Sequence, residues 1–145
     1  KHVVDEDLEA LVTEEILRTA AVFKLEYLHV NSGTTIMPMA SVKLSINGRS
    51  ITGAGYGNGP IDSAFNTIAK LTGTVSELRR FSVSALTGGT DAQGEVTVRL
   101  RENGLVALGR GSDADIIIAS AKAYINGLNR LEYLKENPVK TSQSL

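Results

Sequence analysis

The hydrophobic and polar positions of residues 1–23 repeat with a helical period. Apolar side chains recur three or four positions apart, the spacing of one helix face; they are Leu8, Leu11, Val12 and Ile16. Asp5 stands just before this stripe, where a carboxylate can cap a helix N-terminus. The pattern therefore predicts a helix within residues 1–23.

After this helix the period changes to two. In "MASVKLSI" the side chains of Val42, Leu44 and Ile46 alternate with polar ones, as in a half-buried β-strand. The dipeptide Asn47-Gly48 that follows is typical of a tight hairpin turn. We therefore predict strands over "KLEYLHV", over "MASVKLSI" and over the segment that returns after the turn.

A glycine-rich stretch, "GAGYGNGP", separates these strands from a second helical pattern. Ile61, Ala64, Phe65 and Ile68 fall on one face of that helix. Gly73 can end it, because glycine readily adopts the left-handed conformation found after helix C-termini. The first part of the chain therefore reads as three strands followed by a helix.

The second half of the chain repeats the first. The segment "SVKLSINGRSITGAGYG" (41–57) aligns without a gap on "EVTVRLRENGLVALGRG" (95–111), an offset of 54 residues. Each segment reads as strand, turn, strand and Gly-x-Gly, and a helical pattern follows each. We predict that Ser112 caps the second helix, with Asp115 three residues later. Such repetition indicates a duplicated structural unit.

The duplication predicts an α+β fold in which two pseudo-symmetric β-β-β-α units form one domain. The domain is predicted over residues 24–134, with units at about 24–73 and 78–131. The helix within residues 1–23 precedes it. Residues 135–145 are polar and are predicted to form a flexible tail.

The composition narrows the classes of function. With 145 residues the chain suits one domain plus a connector. Its formal net charge is -1 and no basic patch stands out, so we expect no nucleic-acid partner. It has no cysteine, which excludes a disulfide or a Cys-based zinc site. No apolar run approaches the ~20 residues of a membrane helix, so we expect no membrane partner and a cytoplasmic location.

The sequence offers no convincing catalytic group. The two histidines, His2 and His29, have no metal-ligand spacing to a partner. Neither glycine stretch matches a nucleotide-binding or nucleophile-elbow motif. Asp113 and Asp115 stand at a helix start, where capping explains them. We therefore predict no catalytic residue, no metal site and no cofactor in this chain.

The helix start after the glycine stretch is the position best suited to a ligand. Its unpaired N–H groups and the positive end of the helix dipole suit a small carboxylate. Gly57, Asn58 and Gly59 allow the backbone to approach a ligand closely. Pro60 fits the first helical position, where its missing N–H costs nothing. The same residues also fit a ligand-free turn between strand and helix, and spacing alone favours that simpler interpretation.

Three motifs occur in order along the chain: "GNGPIDSAFNTI", "TGGTDAQGEVTVRL" and "GRGSDADIIIASAKAYINGLNRL". Together they resemble the C-terminal regulatory domain of 2-isopropylmalate synthase, which the related (R)-citramalate synthase shares. The resemblance covers about Lys24 to Leu131, and "VVDEDLEALVTEEI" is similar to the connector helix that precedes this domain in the family. Ser63 and Ala114 depart from the family pattern, in which Ala and Thr are common at these positions.

The resemblance implies a regulatory role. The family's enzyme is an acyltransferase that condenses acetyl-CoA with 2-oxoisovalerate in a metal-dependent TIM barrel N-terminal to this domain. The barrel's His-x-His motif is absent here, so the divalent metal and acetyl-CoA are expected only in the parent enzyme. In the family the domain forms a homodimer and binds leucine for feedback inhibition near the dimer interface. Citramalate synthase binds isoleucine at the same place.

The resemblance also implies an effector site made of three groups of residues: a glycine loop with its helix start, a strand, and a second loop. In that order they are Gly57, Asn58, Gly59, Ile61 and Asp62; Leu78, Phe81 and Ala85; and Asp91, Ala92, Gln93 and Gly94. The corresponding loop of the second unit, Gly109–Asp113, is a weaker candidate that fits a packing role.

This set of residues fits the chemistry of a free amino acid. The helix N-terminus can hold the carboxylate. Asp62, Asp91 or backbone carbonyl groups can hold the ammonium group. Ile61, Leu78 and Phe81 can line an apolar slot, in which the small residues of the set leave room. Each of these side chains also has an ordinary role as core or helix-start residue.

Four alternatives to leucine sensing stay open from the sequence. The first is isoleucine sensing on a citramalate synthase, since only pocket shape separates the two amino acids. The second is a purely structural dimerisation module. The third is an ACT-type domain, whose β-α-β-β-α-β order disagrees with three strands before the first domain helix. The fourth is a stand-alone enzyme, which the lack of a catalytic group disfavours.

Overall fold

The computed structural model of this protein describes residues 21–86 and 92–137. The helix predicted within residues 1–23 lies almost entirely outside the described residues. Asp91 of the predicted effector site also lies outside them, as do residues 138–145 of the predicted tail.

The first unit is a three-stranded antiparallel sheet followed by a helix. Its elements are β1 (Phe23–Asn31), β2 (Met39–Ile46), β3 (Arg49–Tyr56) and α1 (Pro60–Thr72), with the strands in spatial order β1-β2-β3. Asn47 and Gly48 form the turn between β2 and β3, with φ angles of 51° and 84°. The predicted Asn-Gly hairpin is therefore confirmed, because this kind of turn needs two residues that tolerate positive φ.

The second unit has the same plan. Its elements are β4 (Glu77–Leu86), β5 (Gln93–Glu102), β6 (Leu105–Asp113) and α2 (Ile116–Glu136), with the strands in spatial order β4-β5-β6. The predicted α+β fold with two β-β-β-α units is confirmed. Helix α2 continues two residues into the segment predicted as a tail. Neither described helix, α1 nor α2, is long and apolar enough to cross a membrane.

One core joins the two units. Helix α1 covers β2 and β3, whereas α2 covers β5 and β6 and also reaches β1. The ring of Phe65 on α1 stacks on Tyr124 of α2, with centroids 4.6 Å apart, and forms an edge-to-face pair with Phe81 of β4 at 6.0 Å. Both units contribute fully buried side chains, which include Val42, Leu44, Ile68, Val96, Val98, Leu100 and Leu131.

The ungapped alignment of the two halves is wrong by two residues over the second and third strands. The hairpin turns begin at Asn47 and Asn103, which are 56 residues apart rather than 54. Gly55 and Gly111, which pack against α1 and α2, obey the same offset of 56. Strand side chains alternate with period two, so a two-residue shift keeps every inward position inward. The hydrophobic pattern is therefore unable to reveal the error.

The predicted cap of the second helix is also wrong. Ser112 pairs with Glu95 inside the sheet, so its backbone belongs to β6. The N-cap of α2 is Asp115, whose side-chain oxygen accepts a hydrogen bond from the N–H of Ile117 at 2.8 Å. The helix consequently starts closer to the apolar residues of its inner face than the sequence predicted.

Helix side chains bond the outer strand of each sheet. In the first unit, Lys70 and Asn66 donate to the carbonyl oxygens of Ala54 and Tyr56 in β3, at 3.0 and 3.1 Å. The second unit repeats this arrangement on β6, where the donors Lys122, Asn126 and Arg130 meet the carbonyl oxygens of Ser112, Arg110 and Leu108. These carbonyls point away from their own sheet, so the helices supply the partners that a further strand would otherwise supply.

Candidate functional site

The N-terminus of α1 carries the first group of predicted effector residues. Its N-cap is Gly59, which has an extended backbone at φ -162° and, being glycine, no side chain to cap the helix. Pro60 follows at the first helical position, as predicted. The first N–H groups of a helix lack partners within it. The N–H groups of Ile61 and Asp62 therefore point out of this helix start with the positive end of its dipole.

The glycines of the stretch before α1 serve different physical purposes. A Cβ on Gly57 would collide with the backbone of Ser63 in the first turn of α1, so Gly57 is needed for close packing. Around Gly59, in contrast, no described heavy atom lies within 4 Å of the position that a Cβ would take. The side of the helix start next to Gly59 is therefore the open one.

Asp62 holds the loop in front of the helix. Its Oδ2 atom accepts a hydrogen bond from the backbone N–H of Asn58 at 2.8 Å and another from Nδ2 of Asn66 at 3.4 Å. The backbone N–H of Asn58 is thus engaged inside the protein and is not a donor for a ligand. Both bonds use the same carboxylate oxygen, so Oδ1 is the Asp62 atom left to face outward.

The second group lies on one face of β4. Leu78, Phe81 and Ala85 pair with Leu100, Val98 and Gly94 of β5, and directly paired residues share a face of the sheet. The β5 partners Leu100 and Val98 are completely buried under α2. Leu78 and Phe81, however, keep 44% and 38% of their surface exposed. The reason is that α2 covers β5 and β6 and leaves β4 beyond its reach.

The sequence interpretation missed one member of this face. Val83 stands between Phe81 and Ala85 with the same orientation, pairs with the buried Val96, and is 51% exposed. The alternation of "FSVSA" contains the information, since residues two apart share a face in a strand. We call Leu78, Phe81, Val83 and Ala85 the β4 face.

The third group adjoins the second. Ala85 pairs with Gly94 and Leu86 pairs with Gln93, so the start of β5 lies beside the end of β4. Ala92 and Gln93 are exposed. A Cβ on Gly94 would lie 2.7 Å from Cδ1 of Ile116, the first residue of α2. The third group therefore lies at the start of α2, whereas the first group lies at the start of α1.

The two helix starts differ in their electrostatics. At α2, Oδ1 of Asp113 accepts a hydrogen bond from the N–H of Asp115, and Oδ2 lies 3.0 Å from Nζ of Lys122. The bond from Asp115 and then the bond from Lys122 lower the pKa of the Asp113 carboxyl. Two aspartates thus already occupy the N-terminal end of α2. The segment Gly109–Asp113, predicted as a loop, belongs to strand β6, and close packing of Gly109 and Gly111 against the α2 backbone explains its glycines.

Among the described residues, the second and third groups of predicted effector residues are direct neighbours in the sheet. The first group is linked to them through aromatic rings. Phe65, one turn into α1 from Ile61, forms the edge-to-face pair with Phe81 on the β4 face. The same Phe65 ring stacks on Tyr124, and burial raises the pKa of the Tyr124 hydroxyl. A single ring cluster therefore contacts α1, β4 and α2.

Comparison with known proteins identifies the family of this chain. Residues 2–132 match the family described as the LeuA allosteric (dimerisation) domain. The chain belongs to this family. The match covers both β-β-β-α units and confirms the resemblance found from the three sequence motifs. It also includes most of the segment that precedes β1.

Relatives of this LeuA-family chain are much longer proteins. A protein named 2-isopropylmalate synthase from Syntrophus aciditrophicus (strain SB) is 51% identical over 140 residues, which are 97% of this chain and 27% of the relative. One of the same name from Nitratidesulfovibrio vulgaris is 52% identical over 141 residues, again 97% of this chain and 27% of the relative. The chain thus spans about 27% of the length of these relatives.

Proposed function

We propose that this chain is the regulatory domain of a 2-isopropylmalate synthase, where it binds leucine as a feedback inhibitor and forms a homodimer. The observation that carries the proposal is the match of residues 2–132 to an allosteric (dimerisation) domain. The names of the relatives, of which this chain corresponds to about 27%, support the identity of the parent enzyme.

The parent enzyme is proposed to be an acyltransferase that acts in the cytoplasm. It would join acetyl-CoA to 2-oxoisovalerate with the help of a divalent metal, in the part of the relatives that this chain does not span. This chain would contribute regulation, and none of its effector residues is assigned a catalytic role.

We propose that the amino acid lies with its polar end at the start of α1. The N–H groups of Ile61 and Asp62 would bind the carboxylate at the positive end of the helix. The open space beside Gly59 admits the ligand backbone. Oδ1 of Asp62 or a backbone carbonyl would accept from the ammonium group.

The branched side chain of the amino acid is proposed to lie against the β4 face. Leu78 and Phe81 would contact it, and the small Ala85 and Gly94 would leave room for it. In one chain the β4 face and the start of α1 are linked through Phe65, and the exposure of the β4 face leaves it available to a second copy. We therefore place the pocket where two copies meet along β4.

Calorimetric titration of the purified domain with leucine, isoleucine and valine tests the proposal. Saturable heat that is strongest with leucine is the expected result. Strongest heat with isoleucine would identify the parent enzyme as a citramalate synthase. The shape of a pocket separates two such similar side chains by only ~1–3 kcal/mol, so the three titrations must be compared quantitatively. Absence of heat with all three amino acids, in a dimeric protein, would leave a purely structural dimerisation module.

Two variants of β4 separate ligand binding from an overall loss of structure. Ala85→Asp places a charge at the end of the β4 face beside Gly94 and should abolish the heat of leucine binding. Ser82→Asp is the matched control, because Ser82 is also exposed, points to the opposite face of β4 and pairs with the uncharged Thr97. Equal effects of the two substitutions would contradict the proposed pocket.

Dimerisation through the β4 face has its own test. Val83→Asp places a charge in the middle of that face, where Leu78, Phe81 and Val83 are 38% to 51% exposed. It should shift the protein from dimer to monomer in sedimentation or light scattering, whereas Ser82→Asp should not. A dimer that is indifferent to Val83→Asp would move the interface elsewhere on the domain.

A further inference from the structure

A groove separate from the predicted effector residues lies on the other side of α2. Its volume is about 660 Å³. The side of α2 forms its floor, β6 forms one wall, and the start of β1 forms the other. Ala21, the first described residue, is among the residues that line it.

The groove carries a net positive charge. Four basic side chains line it, namely Lys24, Arg110, Lys122 and Arg130, together with the carboxylate of Glu95, and Lys122 is already paired with the Asp113 carboxylate at 3.0 Å. Lys24 and Arg110 are exposed. Lys122 and Arg130 are held in place, since each also donates to a carbonyl oxygen of β6. This excess of positive charge stands out in a chain whose net charge is only -1.

The groove also has an apolar strip. Leu25 and Leu108 line it between the charged side chains, above the buried Ile125. Leu108 is 39% exposed although it lies in the middle of β6. A groove with an apolar strip and a cationic rim fits an amphipathic, acidic segment better than it fits a small ion.

Residues 1–20 have the composition that such a groove requires. They contain six carboxylates and two basic side chains, Lys1 and Arg18, which leaves an excess of four negative charges. Their apolar residues fall on one predicted helix face that includes Leu8, Leu11 and Ile16. The segment joins the described chain at Ala21, on the rim of the groove.

We propose that residues 1–20 dock in the groove between α2, β6 and the start of β1, with their apolar stripe on Leu25 and Leu108 and their carboxylates facing the exposed Lys24 and Arg110. The occupant is this chain's own N-terminal segment, because the segment enters at the groove and has the opposite charge. The proposal does not depend on which amino acid the domain binds.

Engineered disulfides test the docking in the full chain. The chain has no cysteine, so an introduced pair is its only thiol pair. Leu108→Cys is combined in separate variants with Leu8→Cys, Leu11→Cys or Ile16→Cys. Mild oxidation should close an intramolecular disulfide in at least one variant, because two cysteines bridge only when their Cα atoms approach within about 7 Å. Faster migration on a non-reducing gel and a cross-linked peptide identify it.

The matched control uses the duplication of the domain. Thr52 is the counterpart of Leu108 at the offset of 56, and it is an exposed residue of β3 in the first unit. Thr52→Cys combined with the same three cysteines should remain reduced. Equal cross-linking at 52 and 108, or none at 108, would overturn the proposal. A disulfide between two copies would assign the groove to a partner chain and would also overturn it.

A second readout needs no cysteine. Hydrogen exchange of the unmodified chain should show slowed exchange for the amides of residues 8–16. Arg110→Glu should remove this protection, whereas Arg49→Glu, an exposed residue of β3, should leave it intact. Exchange of residues 8–16 at the rate of an unstructured peptide in the unmodified chain would contradict the docking.

Discussion

The two units share a plan and differ in what covers their first strand. In the first unit, β1 is covered by α2, whereas in the second unit the β4 face stays largely exposed. The difference arises at one helix end. Helix α1 has 13 residues and stops at Gly73, whose φ of 70° is left-handed, but α2 has 21 residues and continues through the equivalent position, Asn129.

Asn129 shows what the longer helix achieves. Its Oδ1 accepts from the backbone N–H groups of Val22 and Phe23, at 2.9 and 2.8 Å, and its Nδ2 donates to the carbonyl of Phe23 at 2.9 Å. The start of β1 is thereby fixed to α2. In the first unit Gly73 has no side chain to make such bonds, so β4 is held by its pairing with β5 and by the contact between Phe81 and Phe65. One extended helix thus turns two similar units into a covered one and an open one.

The largest expected effect comes from cutting the contact between the units. Phe65→Ala removes a ring that is 7% exposed and contacts both Phe81 and Tyr124. Deletion of a buried Phe typically costs about 3–5 kcal/mol, and denaturant unfolding should show this loss. Phe81→Ala, at 38% exposure, should cost clearly less. Equal costs would mean that β4 is as buried as α1 in solution.

The covered first strand should weaken when Asn129 is changed. Asn129→Ala leaves the backbone groups of Val22 and Phe23 without their partner, and an unsatisfied buried group costs about 1–3 kcal/mol. Asn126→Ala is the control, because Asn126 is exposed and bonds only the carbonyl of Arg110 among the bonds described. Hydrogen exchange should speed up at β1 in the first variant. An unchanged β1 would show that the apolar contacts of α2 suffice to hold it.

A smaller effect on stability should follow from changing the N-cap residues of the two helices. Asp115→Ala removes the side-chain cap of α2 and should cost about 1 kcal/mol. Gly59→Ser gives α1 the capping oxygen it lacks, at an extended φ that any residue adopts, and should gain a few tenths of a kcal/mol. The serine hydroxyl would occupy N–H groups proposed to bind leucine, so thermal stability should rise while the calorimetric heat falls. A rise in both would contradict that ligand position.

The smallest effect concerns pH. Hydrogen bonds from Asp115 and Lys122 lower the pKa of Asp113 below its ordinary 3.8. The ionised form is therefore favoured in the folded state, so this contribution is present above pH 3.8 and disappears as the pH falls through the lowered pKa. Asp113→Asn should be less stable than the parent at pH 6 and equally stable at strongly acidic pH. A difference that persists in acid would point to packing instead of charge.

The hydrophobic periods and turn dipeptides were sufficient to predict the elements of the fold. The alternation around Leu44 predicted β2, and Asn47-Gly48 predicted its hairpin, because both depend on neighbouring residues. The offset of 56 was missed, since a strand pattern is unchanged by a shift of two residues. Ser112 was predicted as a cap because a good capping residue followed a glycine, although sheet pairing had already fixed its backbone.

The candidate site was predicted mainly through the family resemblance. The open helix start at Gly59 was expected from the residues, and the structure shows the space beside it. The exposure of Phe81 was beyond local reasoning, because it depends on how far α2 extends across β5. Strand alternation places Val83 on the same face, but its exposure, like that of Phe81, depends on the reach of α2. The assignment of the twelve effector residues remains a prediction.

The helix side chains that bond the outer strands have a consequence for how copies of this domain meet. Lys70 and Asn66 donate hydrogen bonds to carbonyl oxygens of β3, and Asn126 donates one to a carbonyl oxygen of β6. An unprotected sheet edge recruits further strands and promotes open-ended fibres. With these edges blocked, growth by strand addition at β3 and β6 is disfavoured. At β3 and β6, these helix side chains thus do the protective work that charged or proline-containing edge strands do in other sheets.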